Sequence, residues 1–90
     1  MKRNTDETLL KFPCDFPIKV MGFATKEFEE AVFEICKRHY SELTEDMTSF
    51  RKSADGKYLS ITVNIHATNK TQLDNIYLDL TSFKHVIMAL

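Results

Sequence analysis

The side chains able to do acid–base, nucleophilic or metal chemistry are three histidines (His39, His66, His85), two cysteines (Cys14, Cys36) and scattered carboxylates. Zinc asks for a closely spaced set of such ligands. Here no two histidines stand at i, i+4 and there is no CxxC. Cys36 falls on the apolar stripe of an expected helix, where a free thiol behaves as a small hydrophobe. Cys14 lies in the expected loop Phe12-Pro13-Cys14-Asp15, beside an acidic residue that disfavours the thiolate. No P-loop, GxGxxG or HExxH occurs, and with Gly22 and Gly56 as the only glycines there is no loop to cradle a phosphate. No catalytic residue, metal site or cofactor follows, so a non-enzymatic protein is expected.

The elements that must position these residues belong to one small domain, residues 1–90, with 1–14 a polar extension. The chain is 43% hydrophobic and 28% charged, and its formal net charge is −1. That balance excludes a disordered chain, a collagen-like chain and a strongly basic nucleic-acid binder. No apolar run has the length of a membrane helix, and Met1–Glu7 turns acidic without an apolar stretch behind it. Two cysteines are too few for a small disulfide scaffold. A reduced, cytoplasmic protein without a membrane partner is expected.

Along the chain, Leu9, Leu10 and Phe12 are expected to fold back on the body. From Phe16 the residues alternate, Phe16, Ile18 and Val20 on one face and Lys19 and Met21 on the other, until Gly22 releases the chain. Thr25 then caps a helix to about Tyr40, with Phe28, Ala31, Val32, Ile35, Cys36 and His39 at the helical period. Glu27, Glu29 and Glu30 near its start and Lys37 and Arg38 near its end suit the helix dipole. A strand over Met47–Ser53 leads to Asp55-Gly56, read as a two-residue type I′ turn. Tyr58–Ala67 alternates strictly, with Leu59, Ile61, Val63, Ile65 and Ala67 on one side. The turn places Phe50 opposite Ile61 and Ser49 opposite Thr62, so Phe50 joins the apolar side. Asn69 and Gln72 form a capping-box pattern ahead of a helix whose stripe is Leu73, Ile76, Tyr77 and Leu80. Lys84–Leu90 closes the chain, with Val86, Met88 and Leu90 facing inward and His85, Ile87 and Ala89 outward.

The order is βαββαβ. Right-handed crossovers turn it into a ferredoxin-like α+β sandwich, a four-stranded antiparallel sheet with two helices on one face. The other sheet face is left bare and is the expected place for any surface-borne function.

Phe12-Pro13, Lys19-Val20-Met21-Gly22, the Ser60–Thr68 segment, Leu73, Tyr77 and Leu80, and the closing Val86-x-Met88-x-Leu90 are similar to the YbeD family of small bacterial proteins. The resemblance implies a ferredoxin-like fold akin to the ACT-type regulatory domain. Some family members carry the label of lipoate regulatory protein, and the family supplies no catalytic residues to carry over. It implies Asn at position 66, where this chain has His.

Three binding readings follow. As an ACT-like regulatory module, pairing as a homodimer, the chain would take a small metabolite at the open face. Met21, Ile87 and Ala89 would supply apolar contacts, with Lys19, Ser60, Thr62, Asn64 and His66 as polar ones. As an adaptor it would dock a protein partner through the same face or the edge strand, where Arg51 and Lys52 discourage random pairing. The RNA-recognition motif shares this element order, but the open face offers Tyr58 and no second aromatic, and the net charge is negative. Nucleic acid is therefore not the expected partner.

Overall fold

The computed structural model describes residues 11–90. Expectations for residues 1–10, including the folding back of Leu9 and Leu10, lie outside the described residues; Phe12 does pack against the core. Strand β1 (Cys14–Phe23) leads to helix α1 (Lys26–His39), a 3-10 turn (Glu45–Met47) and strand β2 (Thr48–Lys52). Strand β3 (Tyr58–Ala67), helix α2 (Lys70–Ser82) and strand β4 (Val86–Ala89) complete the chain. The sheet order is β2-β3-β1-β4, with every neighbouring pair antiparallel. This is the ferredoxin-like α+β fold.

Both helices start where side chains replace the missing backbone acceptors. Thr25 accepts from the Phe28 N–H at 3.1 Å, and Asn69 accepts from the Gln72 N–H at 2.9 Å. Gln72 reaches back to the Thr68 N–H at 2.8 Å, one residue beyond the usual capping-box target. At the far end of α1, Lys37 Nζ donates to the Leu43 carbonyl, and Gln72 Nε2 donates to the His39 carbonyl. His39 Nε2 lies 2.6 Å from Asp79 Oδ2, so the two helices are joined by polar contacts at the edge of their apolar seam.

The core contains Phe28, Val32, Ile35 and Cys36 of α1 and Leu73, Ile76 and Leu80 of α2. From the sheet come Ile18, Val20, Leu59, Ile61, Val63, Ile65 and Ala67. Tyr40 and Leu43, from the segment after α1, are buried with them. Burial pushes the Cys36 thiol up to about 12, because a thiolate there would lose its hydration. Cys14 is not in a loop: β1 begins two residues earlier than expected, and Cys14 is half-buried opposite Ala67.

The hairpin differs from expectation in its turn but not in its register. Only Gly56 has positive φ, at 77°, so the loop is not the type I′ turn. Ser53 N–H bonds to the Tyr58 carbonyl and Gly56 N–H to the Ser53 carbonyl, making Ala54–Lys57 a four-residue loop. Both loops are centred on Asp55-Gly56, so Ser49 still faces Thr62 and Phe50 still faces Ile61. Asp55 accepts from the Ser53 hydroxyl and the Lys57 N–H, which hold its carboxyl below the usual range. Met47 sits in the 3-10 turn rather than in the strand. Phe50 shares the inward side with Ile61 yet stays 54% exposed, because β2 is an edge strand.

The largest correction concerns β4. Its register with β1 shifts between Met21 and Gly22: Val86 faces Gly22, Met88 faces Met21 and Ala89 faces Val20. Ile87 is the extra residue of a β-bulge, which resets the alternation. Ala89 therefore lies inward with Val20, packed against the core, and Met88 turns outward. Leu90 exchanges both backbone hydrogen bonds with Lys19, at 3.0 and 2.7 Å, so it too stands on the outward side. Gly22 permits the close passage: a Cβ there would lie 2.5 Å from both the His85 carbonyl oxygen and the Phe28 ring. The strand does not end at Gly22 but continues through Phe23.

Candidate functional site: the open face of the sheet

Directly opposed residues share a face, so the pairing register maps the side of the sheet that the helices leave bare. Lys19 faces Thr62 and Met21 faces Ser60, which brings four of the expected site residues together. Asn64 faces Pro17 and sends its side-chain N–H to the Met47 carbonyl at 3.4 Å, bracing the start of β2. His66 faces Asp15, with Nδ1 2.8 Å from the carboxylate. Of the remaining candidates, Ile87 is exposed at the bulge and Ala89 belongs to the other face, as described above. His85 precedes β4 and meets Phe83 edge-on, at 5.1 Å between ring centroids, rather than joining His66 on the sheet.

The register also assembles residues that sequence reasoning missed. Phe23 faces Tyr58 across the two central strands, and their rings stack with centroids 5.5 Å apart and planes 30° from parallel. The face thus carries the second aromatic that alternation, stopped at Gly22, did not supply. Continuing the same parity, Lys19, Met21, Phe23, would have found it. Met88, opposite Met21, adds to the same end of the face, and Leu90 stands beside Lys19 in the middle; no parity argument could have placed them without the bulge.

The open face therefore has two ends of different chemistry. One holds Met21, Phe23, Tyr58 and Met88, all between 37% and 48% exposed. The other is polar: Asp15, His66, Asn64 and Thr62. Between them Arg51, opposite Ser60, borders two shallow hollows. One, of about 200 Å³, reaches Met21 and Tyr58; the other, of about 310 Å³, reaches Lys19 and Thr62. A larger groove of about 530 Å³ lies on the helix side, between α1 and β2. It is lined by Phe33 and Phe50 under Glu29, Glu30 and Glu45. Among the described residues no three His, Cys, Asp or Glu side chains gather where they could hold a metal ion. The open face offers exposed rings, thioethers and cations, a surface suited to contact.

Comparison with known proteins places the chain in a family and supports its fold. Residues 7–90 match the family described as "Protein of unknown function (DUF493)". A UPF0250 protein of Nitrosomonas europaea is 41% identical over 96% of this chain and 99% of its own length. A UPF0250 protein of Paraburkholderia phytofirmans is 38% identical over 97% of this chain and 98% of its own. The solution structure of protein HP0495 from H. pylori superposes with a TM-score of 0.75. It covers all of this chain and 94% of that one at 17% identity, a likeness of fold. The family resemblance read from the sequence is borne out, as is the ferredoxin-like fold. Among the described residues no helix is long and apolar enough to cross a membrane.

Proposed function

The chain belongs to the DUF493 family of proteins of unknown function, and from that premise we propose that it is a non-enzymatic module that binds a protein partner through the open sheet face. One observation carries this reading. Four large apolar side chains on one end of that face, Met21, Phe23, Tyr58 and Met88, stand 37% to 48% exposed, although the fold has a core to hold them. Contiguous exposed apolar surface is a cost in water and marks an interaction site. The residue types fit as well, since aromatic side chains, Met and Arg are those enriched where proteins meet. The hollows are shallow and open, unlike the enclosed pockets that bury most of a small ligand. This favours the adaptor reading over the metabolite-binding one.

A photocrosslinking amino acid at position 62, on the open face, is expected to capture one discrete protein in cells. The same group at position 78, on the exposed flank of α2, is expected to capture none. Equal capture at both positions, or none at either, would remove the reading. Amino acids, lipoate and octanoate are expected to leave the melting temperature unchanged. A rise with any of them would favour the metabolite-binding module, since a ligand of the folded state stabilises it.

A further inference from the structure

We propose that the partner segment is acidic as well as apolar: an amphipathic stretch whose apolar side covers Met21, Phe23, Tyr58 and Met88 while its carboxylates meet Lys19 and Arg51. This rests on the reading of the open face as a docking surface, and it adds the chemistry of the occupant.

Charge complementarity carries it. Although the chain is net negative, the middle of this face is cationic. Lys19 opposes Thr62 and Arg51 opposes Ser60, and neither cation has a carboxylate partner among the described residues. Lys52 borders the same hollow as Arg51. The carboxylate of Asp15 on this face stands at the far end, engaged by His66. Asp55, in the hairpin loop, accepts from both the Ser53 hydroxyl and the Lys57 N–H through Oδ1. A partner that buries the apolar end thus meets cations at its border, and opposite charges there set its register and exclude wrong partners.

Two other occupants fit less well. A second copy docked by a twofold axis passing between Lys19 and Arg51 would set these cations against their own copies. A copy presenting its acidic Phe33–Phe50 groove would make a head-to-tail contact, which builds rings or open filaments rather than a closed pair. Single-stranded nucleic acid needs ring faces on which bases stack. Here Phe23 and Tyr58 stack on each other, which takes up one face of each ring.

The test uses the full chain and two fluorescent amphipathic peptides with identical leucines, one bearing glutamates and the other lysines. Anisotropy titration is expected to show about tenfold tighter binding of the glutamate peptide, the scale of two exposed charge contacts. The preference should shrink as salt rises from about 0.05 to about 0.5 M. The Lys19→Glu, Arg51→Glu double variant, with its melting temperature checked, is expected to reverse the preference. Equal binding of both peptides, a preference that survives the reversal, or tighter binding of a uridine oligonucleotide than of the glutamate peptide would overturn the proposal. So would sedimentation showing a dimer or filament that Tyr58→Ser dissolves. Should neither peptide bind while position 62 still captures a discrete protein, this inference fails and the docking reading stands. Should the glutamate peptide bind a Tyr58→Ser, Met88→Ser variant as well as it binds the unaltered chain, the surface is misplaced and both fall.

Discussion

Strand β3 shows the two sides of the molecule at one glance. Its inward residues, Leu59, Ile61, Val63, Ile65 and Ala67, are all buried, and every large neighbour across the seam is apolar. Its outward residues, Tyr58, Ser60, Thr62, Asn64 and His66, share the same backbone and the same ladder, yet all of them stay exposed or half-buried. The inward side carries the stability of a small domain; the outward side is released from that duty and can hold rings and cations that a core would not keep. A residue one position along the same strand can therefore differ entirely in what its loss should do.

That contrast is broken most directly by truncating one ring on each side. Phe28→Ala, fully buried on the inward side, is expected to cost about 3–5 kcal/mol in urea unfolding. Phe23→Ala, on the outward side, should cost about 1 kcal/mol or less. Comparable losses would mean that the outward end is core after all. Raising the pH probes the inward side without mutation. The Cys36 thiol is held up to about 12 from an ordinary value near 9. Its neutral form is thus favoured by folding, and its contribution is complete below pH 9 and lost as pH climbs toward about 12. Stability measured across that range should fall more steeply for the unaltered chain than for Cys36→Ala. A matching slope for both would deny the thiol this role.

Gly22→Ala sharpens the comparison at the seam between the sides. The added methyl would press on the Phe28 ring and the His85 carbonyl, and about 1–3 kcal/mol should be lost. Relaxation of β4 would also loosen the bulge, so the hydrogen exchange of the Leu90 amide should quicken. Cap removal comes next: Thr25→Ala and Asn69→Ala should each cost about 1 kcal/mol. The smallest expected effect is that of Lys19→Glu with Arg51→Glu, within about 0.5 kcal/mol by thermal unfolding. A large loss there would show that these cations serve the fold.

Much of this architecture was legible before any coordinates. Strict alternation in β3 identified both its faces, and the Thr25 and Asn69 caps marked two helix starts where they are found. The hairpin register was right although its turn was not. Asp55-Gly56 allows a loop of two or four residues about the same centre, and only backbone torsion separates them. The candidate site was read less well. Lys19, Met21, Ser60 and Thr62 come together as expected. Ala89, however, turned inward and Met88 outward, because a bulge shifts parity without leaving a mark in the local pattern. Phe23 was lost by ending a strand at a glycine that serves the approach of Phe28 rather than a turn.

Periodicity by itself determined which residues are apolar together, and therefore the elements, their order and the side of the sheet that must be buried. It could do so because burial is local in its demand: each strand or helix must show one apolar side whatever it packs against. The tertiary structure alone decided which exposed residues become neighbours. Stacking Phe23 on Tyr58 and setting Met88 beside Met21 depends on the register between strands far apart in the chain, and on one extra residue in β4. Only the pairing of the assembled sheet fixes these.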